Sequence, residues 1–141
     1  MAAFTRTIDI AAPRGVVWRV LMDVERWPAW TQSVAHVERV DGRPLALGSR
    51  VRIQQPRLRA AFWTVTAFDP EHRFEWQSGA PGLRVIASHA LEDAGPGCRV
   101  TLDLRYRGAT GWLVALLAGR MTRGYMAMEA EGLKRRSEQV R

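Results

Sequence analysis

Apolar and polar positions alternate along most of this chain. In "FTRTIDI", Phe4, Arg6, Ile8 and Ile10 share one face and Thr5, Thr7 and Asp9 the other, the period-2 pattern of a strand. The period then changes. In "AAPRGVVWRVLMDV", Val17, Leu21 and Val24 recur at helical spacing, as do Val16 and Val20, and Pro13 suits a helix's first turn. A short helix ending near Asp23 is expected, and "ERWPAWTQ" predicts a second, started or interrupted by Pro28. Six strands follow: "SVAHVERV", "SRVRIQQ", "AAFWTVTAF", "RFEWQS", "LRVIASHAL" and "CRVTLDLRY". Ala61, Trp63, Val65 and Ala67 share a face, as do Phe74 and Trp76, then Leu83, Val85, Ala87, His89 and Leu91, and finally Val100, Leu102, Leu104 and Tyr106. The links are short Gly/Pro/Asp turns with no room for a crossover helix, so the strands form an antiparallel meander. The stretch from "TGWLVALLAG" to "LKRRSEQV" reads as one long helix. The expected layout is α+β, in a single domain spanning 1–141. The long helix is the one element able to cover the sheet.

On a helical wheel, the stripe centred on Leu133 holds Trp112, Ala115, Ala118, Gly119, Thr122, Met126, Glu129 and Ala130. Its middle is small. Bulky residues belong there if the helix packs flat on a sheet, so small ones predict either a pocket or a very close approach. Gly119, Gly124 and Gly132 each cost about 1 kcal/mol in a helix interior, which points to a bend or a close contact. The opposite stripe, with Leu113, Leu117, Met121 and Met128 beside Arg120 and Glu131, is too apolar for a plain solvent face. A dimer contact, or cover from "ERWPAW", would account for it.

The 141 residues are 47% hydrophobic and 25% charged, an ordinary soluble composition. The N-terminus lacks the apolar core of a secretory signal, and "WLVALLAG" is far shorter than the ~20 residues a membrane-spanning helix needs. A cytoplasmic location is expected. Cys98 is the only cysteine and sits in a turn-like "GPGCRV" without a Cys/His cluster, so no metal, cofactor or redox role is expected. The net charge is +7, and Lys134 is the only lysine. Most arginines are spread singly and only "LKRRSEQVR" clusters them. That fits a solvated basic face, with a polyanion-binding surface as the alternative.

His89 is the most informative polar residue, because strand parity puts it on the apolar face. An inward imidazole can act as a general acid/base near neutral pH or bond a ligand carbonyl; equally, it can be a core histidine satisfied by backbone or by one polar partner. Glu129 lies on the inward helix stripe and Arg6 on the inward strand face. Buried charges demand partners, so these two either join His89 in a polar cluster or pair with each other. Trp63, Phe74, Trp76, Tyr106, Trp112 and Met126 are candidate apolar lining, since aromatics stack on planar ligands; ordinary core packing is the competing reading. His36 and Glu38 share a strand face of undetermined direction, and His72 falls in an exposed turn. No Ser-His-Asp arrangement, phosphate loop or HExxH occurs.

The segments "IDIAAPRGVVWRVLMDVERWPAW", "GSRVRI", "WTVTAFDPEHRFEW", "HALEDAGPGCRVTL" and "EAEGLKRRSE" occur in an order that resembles the START/Bet v1-like superfamily (SRPBCC), in its bacterial polyketide cyclase/dehydrase-type branch. The resemblance implies a helix-grip fold: a curved seven-stranded antiparallel sheet around the C-terminal helix, two short helices between strands one and two, and an apolar cavity inside. It implies binding of a small hydrophobic ligand, such as a lipid, polyketide or aromatic. The alternatives are a cyclase/dehydratase-type enzyme, with His89 as acid/base and Arg6 or Tyr106 polarising a carbonyl, and a basic module docking on RNA, ribosomes or a membrane surface. No specific nucleic acid is expected as partner. In such a fold Trp30 plugs the core under the helical corner, and Trp27 is the candidate gate of the cavity mouth.

Overall fold

A computed structural model describes residues 2–141. Strand β1 (Ala2–Ile10) leads into α1 (Arg14–Met22) and a 3-10 helix (Val24–Ala29). Six strands follow, β2 (His36–Arg39), β3 (Arg50–Gln54), β4 (Ala61–Asp69), β5 (Arg73–Ala80), β6 (Leu83–Ala94) and β7 (Gly97–Arg107), then the long helix α2 (Gly111–Val140). The strands form one antiparallel seven-stranded sheet in the order β1-β7-β6-β5-β4-β3-β2. The expected meander is there, closed by β1 pairing with β7. Curved around α2, the sheet makes the α+β helix-grip arrangement. Among the described residues, no helix is long and apolar enough to cross a membrane.

Strand parity holds on β5, β6 and β7 and fails once on β4. Val65 pairs with Trp76, but Ala67 pairs with Glu75, which marks a β-bulge between them. The bulge shifts the side-chain alternation by one position. Phe68, not Ala67, therefore joins Phe74 on the concave face, where it meets Trp18 at a ring-centroid distance of 5.6 Å. Cys98 lies within β7, buried, and burial pushes its thiol up to about 11, so it stays protonated at neutral pH.

Two corners fix where α2 sits. At its C-terminal end Glu138 accepts hydrogen bonds from the Ala11 amide (2.8 Å) and from Lys134 (2.6 Å). The Lys134 ammonium, then the amide, hold that carboxyl below its ordinary value. Two turns back from there, Gly132 lies against the Trp30 carbonyl oxygen, 2.0 Å from where a Cβ would stand. Gly119 faces the Phe4 ring at an ordinary contact distance, with a Cβ position 3.5 Å away. Gly132 is a close-approach site, as one of the two sequence readings held. α2 lies along β1 and β7, and the space between α2 and the middle strands stays open.

Candidate functional site

That space is a cavity of about 510 Å³, within the usual range of small-molecule sites, roughly 300–1,000 Å³. The sheet register sets rows of side chains, some of which reach the cavity. Phe74, His89, Leu102 and Arg6 stand opposite one another across β5, β6, β7 and β1. The next row brings Val65, Trp76, Ala87 and Leu104 together, and the third Ser78, Val85 and Tyr106. Side chains on one face of a strand repeat every second residue, about 6.7 Å. The first and third rows are thus about 13 Å apart along β6. The α2 residues Ala118, Thr122, Met126 and Glu129 complete the wall, as do Val114, Met121 and Tyr125.

The floor is aromatic. His89 is almost fully buried, and its imidazole stacks on Phe74 with ring centroids 4.3 Å apart and planes 5° from parallel. Trp27 and Trp76 flank it at 5.6 and 6.0 Å. The Trp27 indole N–H donates to the Leu21 carbonyl at 3.0 Å, using the C-terminal end of α1 to hold the ring in place. Trp27 therefore lines the cavity as floor and flank instead of gating its mouth. Trp30, buried beneath it at 5.5 Å, is the core plug expected.

Two polar stations interrupt the apolar wall. At the floor, Glu129 brings a carboxylate oxygen to 3.4 Å from His89 Nε2. Neither His89 ring nitrogen has a hydrogen-bond partner among the described residues. The backbone-satisfied core histidine is thus not what this structure shows. Toward the other end, the Tyr106 and Thr122 hydroxyls bond each other at 2.7 Å. The mouth lies at the exposed ends of the lining: Leu58 and Arg59 in the β3–β4 loop, and Gly79 and Ala80 in the β5–β6 hairpin. The Tyr125 hydroxyl donates to the Pro56 carbonyl, joining that loop to α2. At the flank, Gln55 donates to the Ser33 carbonyl at 3.2 Å.

Of the residues singled out from sequence, Trp27, Trp63, Trp76, His89, Tyr106, Met126 and Glu129 line this cavity. Three do not. Phe74 lies behind His89, fully buried, and supports the imidazole without reaching the cavity. Trp112 sits in the first turn of α2, 62% exposed, because it is the neighbouring Gly111 that packs on the Tyr106 backbone of β7. Arg6 shares a row with His89, but Leu102 and α2 stand between them. Its guanidinium goes to Glu131, 3.7 Å away on the other flank of the helix, so no pair with Glu129 forms. The outer stripe of α2 also differs from expectation. Met121 faces the cavity, while Leu113 and Leu117 are exposed and not covered by the "ERWPAW" segment. Tyr125 and Gln55, the side chains that tie the cavity's margins, carried no periodic signal because their roles depend on loop conformation. His36 and Glu38 face outward, 3.6 Å apart and both exposed, and His72 is exposed as expected.

Comparison with known proteins agrees with this architecture. A family model described as polyketide cyclase/dehydrase and lipid transport matches residues 1–138. Among solved structures, the chain is similar to the protein TTHA0849 from Thermus thermophilus, with a TM-score of 0.78, 21% identity and 99% of both chains covered. It is also similar to a START superfamily protein from Mycobacterium smegmatis, with a TM-score of 0.75, 19% identity and 99% of both chains covered. The di-domain ARO/CYC protein BexL of the BE-7585A biosynthetic pathway matches with a TM-score of 0.72 and 18% identity, over 96% of this chain and 46% of BexL. At these identities the likeness is one of fold. No curated protein sequence matches the chain. The family resemblance read from the sequence is borne out: the chain belongs to the polyketide cyclase/dehydrase and lipid transport family.

Proposed function

We propose that the protein binds one elongated, largely apolar small molecule in the cavity, with a polar group of that molecule held at the floor by His89 and Glu129. The observation that carries this reading is the His89 imidazole, walled by Phe74, Trp27 and Trp76, with neither nitrogen hydrogen-bonded among the described residues and Nε2 3.4 Å from the Glu129 carboxylate. A buried polar group left without a bond costs about 1–3 kcal/mol. A ligand hydroxyl or carbonyl bonded there removes that cost, so binding and discrimination come from the same atoms. The length between the two polar stations, about 13 Å along the strand, suits a fused-ring or chain-like molecule better than a compact one. Burial of apolar ligand surface, at about 25 cal/mol per Å², supplies most of the affinity. The family description, which joins polyketide chemistry with lipid transport, agrees with such a ligand. Native mass spectrometry after incubation with a mixed extract of lipids and aromatic polyketides tests this. A single added apolar mass per chain is expected, and a chain that emerges from such a mixture with no added mass counts against it.

A second reading uses the same pair. An imidazole beside a carboxylate, both lining a largely apolar cavity, can take a proton from a carbon next to a carbonyl and return it to an oxygen, the step that aromatic cyclisation and dehydration share. The 3.4 Å His89–Glu129 contact favours this over a purely apolar binding pocket. It requires His89-dependent turnover of the bound molecule, which the binding reading does not.

A further inference from the structure

Around the cavity mouth, the chain has cations and exposed apolar side chains and no acids. The stretches 50–68, 76–91 and 104–128 contain no Asp or Glu, and all 14 acidic residues lie elsewhere. These stretches meet in space. The Thr110 amide and hydroxyl both donate to the Gly82 carbonyl, at 3.0 and 2.8 Å, fastening the β7–α2 turn to the β5–β6 hairpin. Tyr125 fastens the β3–β4 loop to α2. On the exposed side of α2, Leu113, Leu116, Leu117 and Arg120 follow one another at spacings of three and four, a continuous surface on a helix. Leu116 and Leu117 are 74% and 78% exposed, and Trp112 beside them 62%. Arg57 and Arg120 are exposed and make no ion pair among the described residues.

We propose that this end of the molecule is a docking surface for anionic lipid bilayers, with Trp112, Leu116 and Leu117 entering the headgroup–acyl boundary and Arg57 and Arg120 meeting lipid phosphates. A bilayer interface takes each of these groups: aliphatic side chains in the acyl boundary, an indole at headgroup level, and arginines whose stems lie along apolar surface while their heads reach anions. A second copy of the same acid-free pole is a poor partner because like charges would face each other. Single-stranded RNA binding rests on rows of aromatic stacking platforms, and the exposed side chains here are mainly leucines. The surface rims the mouth, so an apolar ligand would pass between bilayer and cavity without crossing water. The docking proposal stands whether or not the cavity reading does.

Co-sedimentation with extruded vesicles tests it, using the full chain and two double variants, Leu116→Glu with Leu117→Glu and Arg57→Glu with Arg120→Glu. None of these four residues lines the cavity. Wild type is expected to partition onto phosphatidylcholine vesicles containing phosphatidylglycerol, weakly onto phosphatidylcholine alone, and less as salt rises. Each arginine near such a surface contributes about fivefold, so both variants should lose at least about tenfold in partitioning. Their circular dichroism and cavity-probe binding should stay at wild-type values, which separates failure here from failure of the cavity reading. Four results would overturn the proposal: no vesicle binding, equal binding to neutral and anionic vesicles, full binding by the leucine variant, or a dimer in light scattering that the leucine variant abolishes. Preference for a polyuridylate competitor over the anionic vesicles would overturn it too.

Discussion

His89 lines the cavity with both ring nitrogens buried, and the nearest groups are aromatic faces and one carboxylate. That arrangement is poor for folding. A half-satisfied buried pair is costlier than an apolar core, and replacing such pairs with packed hydrophobic residues is often neutral or stabilising by about 1–4 kcal/mol. The double substitution His89→Phe with Glu129→Leu should therefore leave stability unchanged or raise it in urea unfolding, while weakening ligand retention. A clear loss of stability would instead assign the pair to the core. His89 was legible in the sequence because parity along β6 is unbroken, and an inward histidine between Ala87 and Leu91 stands out. Arg6 was legible only in part. Its row is right, but parity says nothing of what lies between two strands, and Leu102 beneath α2 separates it from His89. Phe74 shows the same limit: alternation gives the face a side chain occupies, not the layer.

At the scale of elements, α2 decides how much of the concave face stays open. Its glycines divide by environment. A Cβ on Gly132 would stand 2.0 Å from the Trp30 carbonyl oxygen, a backbone atom that cannot swing away, while Gly124 has nothing within 4 Å. Gly132→Ala should push α2 off the helical corner and cost about 1–3 kcal/mol or more, read as a lowered denaturation midpoint. Gly124→Ala, on the same helix, should gain up to about 1 kcal/mol from helix propensity. Equal effects at the two sites would contradict the close packing described. The wheel gave the buried stripe of α2 through Ala115, Gly119, Thr122, Met126, Ala130 and Leu133. It misassigned Trp112 and Met121, because a wheel assumes the same neighbours along the whole helix. In fact α2 packs on Tyr106 of β7 through Gly111 at its start and then runs beside an open cavity, so its exposed and lining faces change along its length. The β4 bulge was likewise hidden, since one extra residue leaves no mark in a short alternating run.

For the molecule as a whole, the order of elements was fully legible. Short turns forced an antiparallel meander, and only one helix was long enough to cover it. The volume left between them was not legible, because it depends on where α2 is tethered: at Gly132, at Glu138 and along β1. Charge distribution also needed the fold. Along the chain the arginines look scattered, yet the acid-free stretches are joined by the Thr110–Gly82 and Tyr125–Pro56 bonds and the carboxylates lie outside them. The central claim is that the cavity between α2 and the middle strands is a ligand site. Its most direct test is a fluorescence titration with the neutral aromatic probe 1-aminoanthracene, comparing wild type with Ala118→Trp, which places an indole in the cavity from α2. The account predicts saturable one-to-one binding by wild type and at least about tenfold weaker binding by the variant, as expected when about 1.4 kcal/mol or more of contact is lost. Circular dichroism should match between the two. Equal affinity in both proteins, or no saturable binding by wild type, would contradict it.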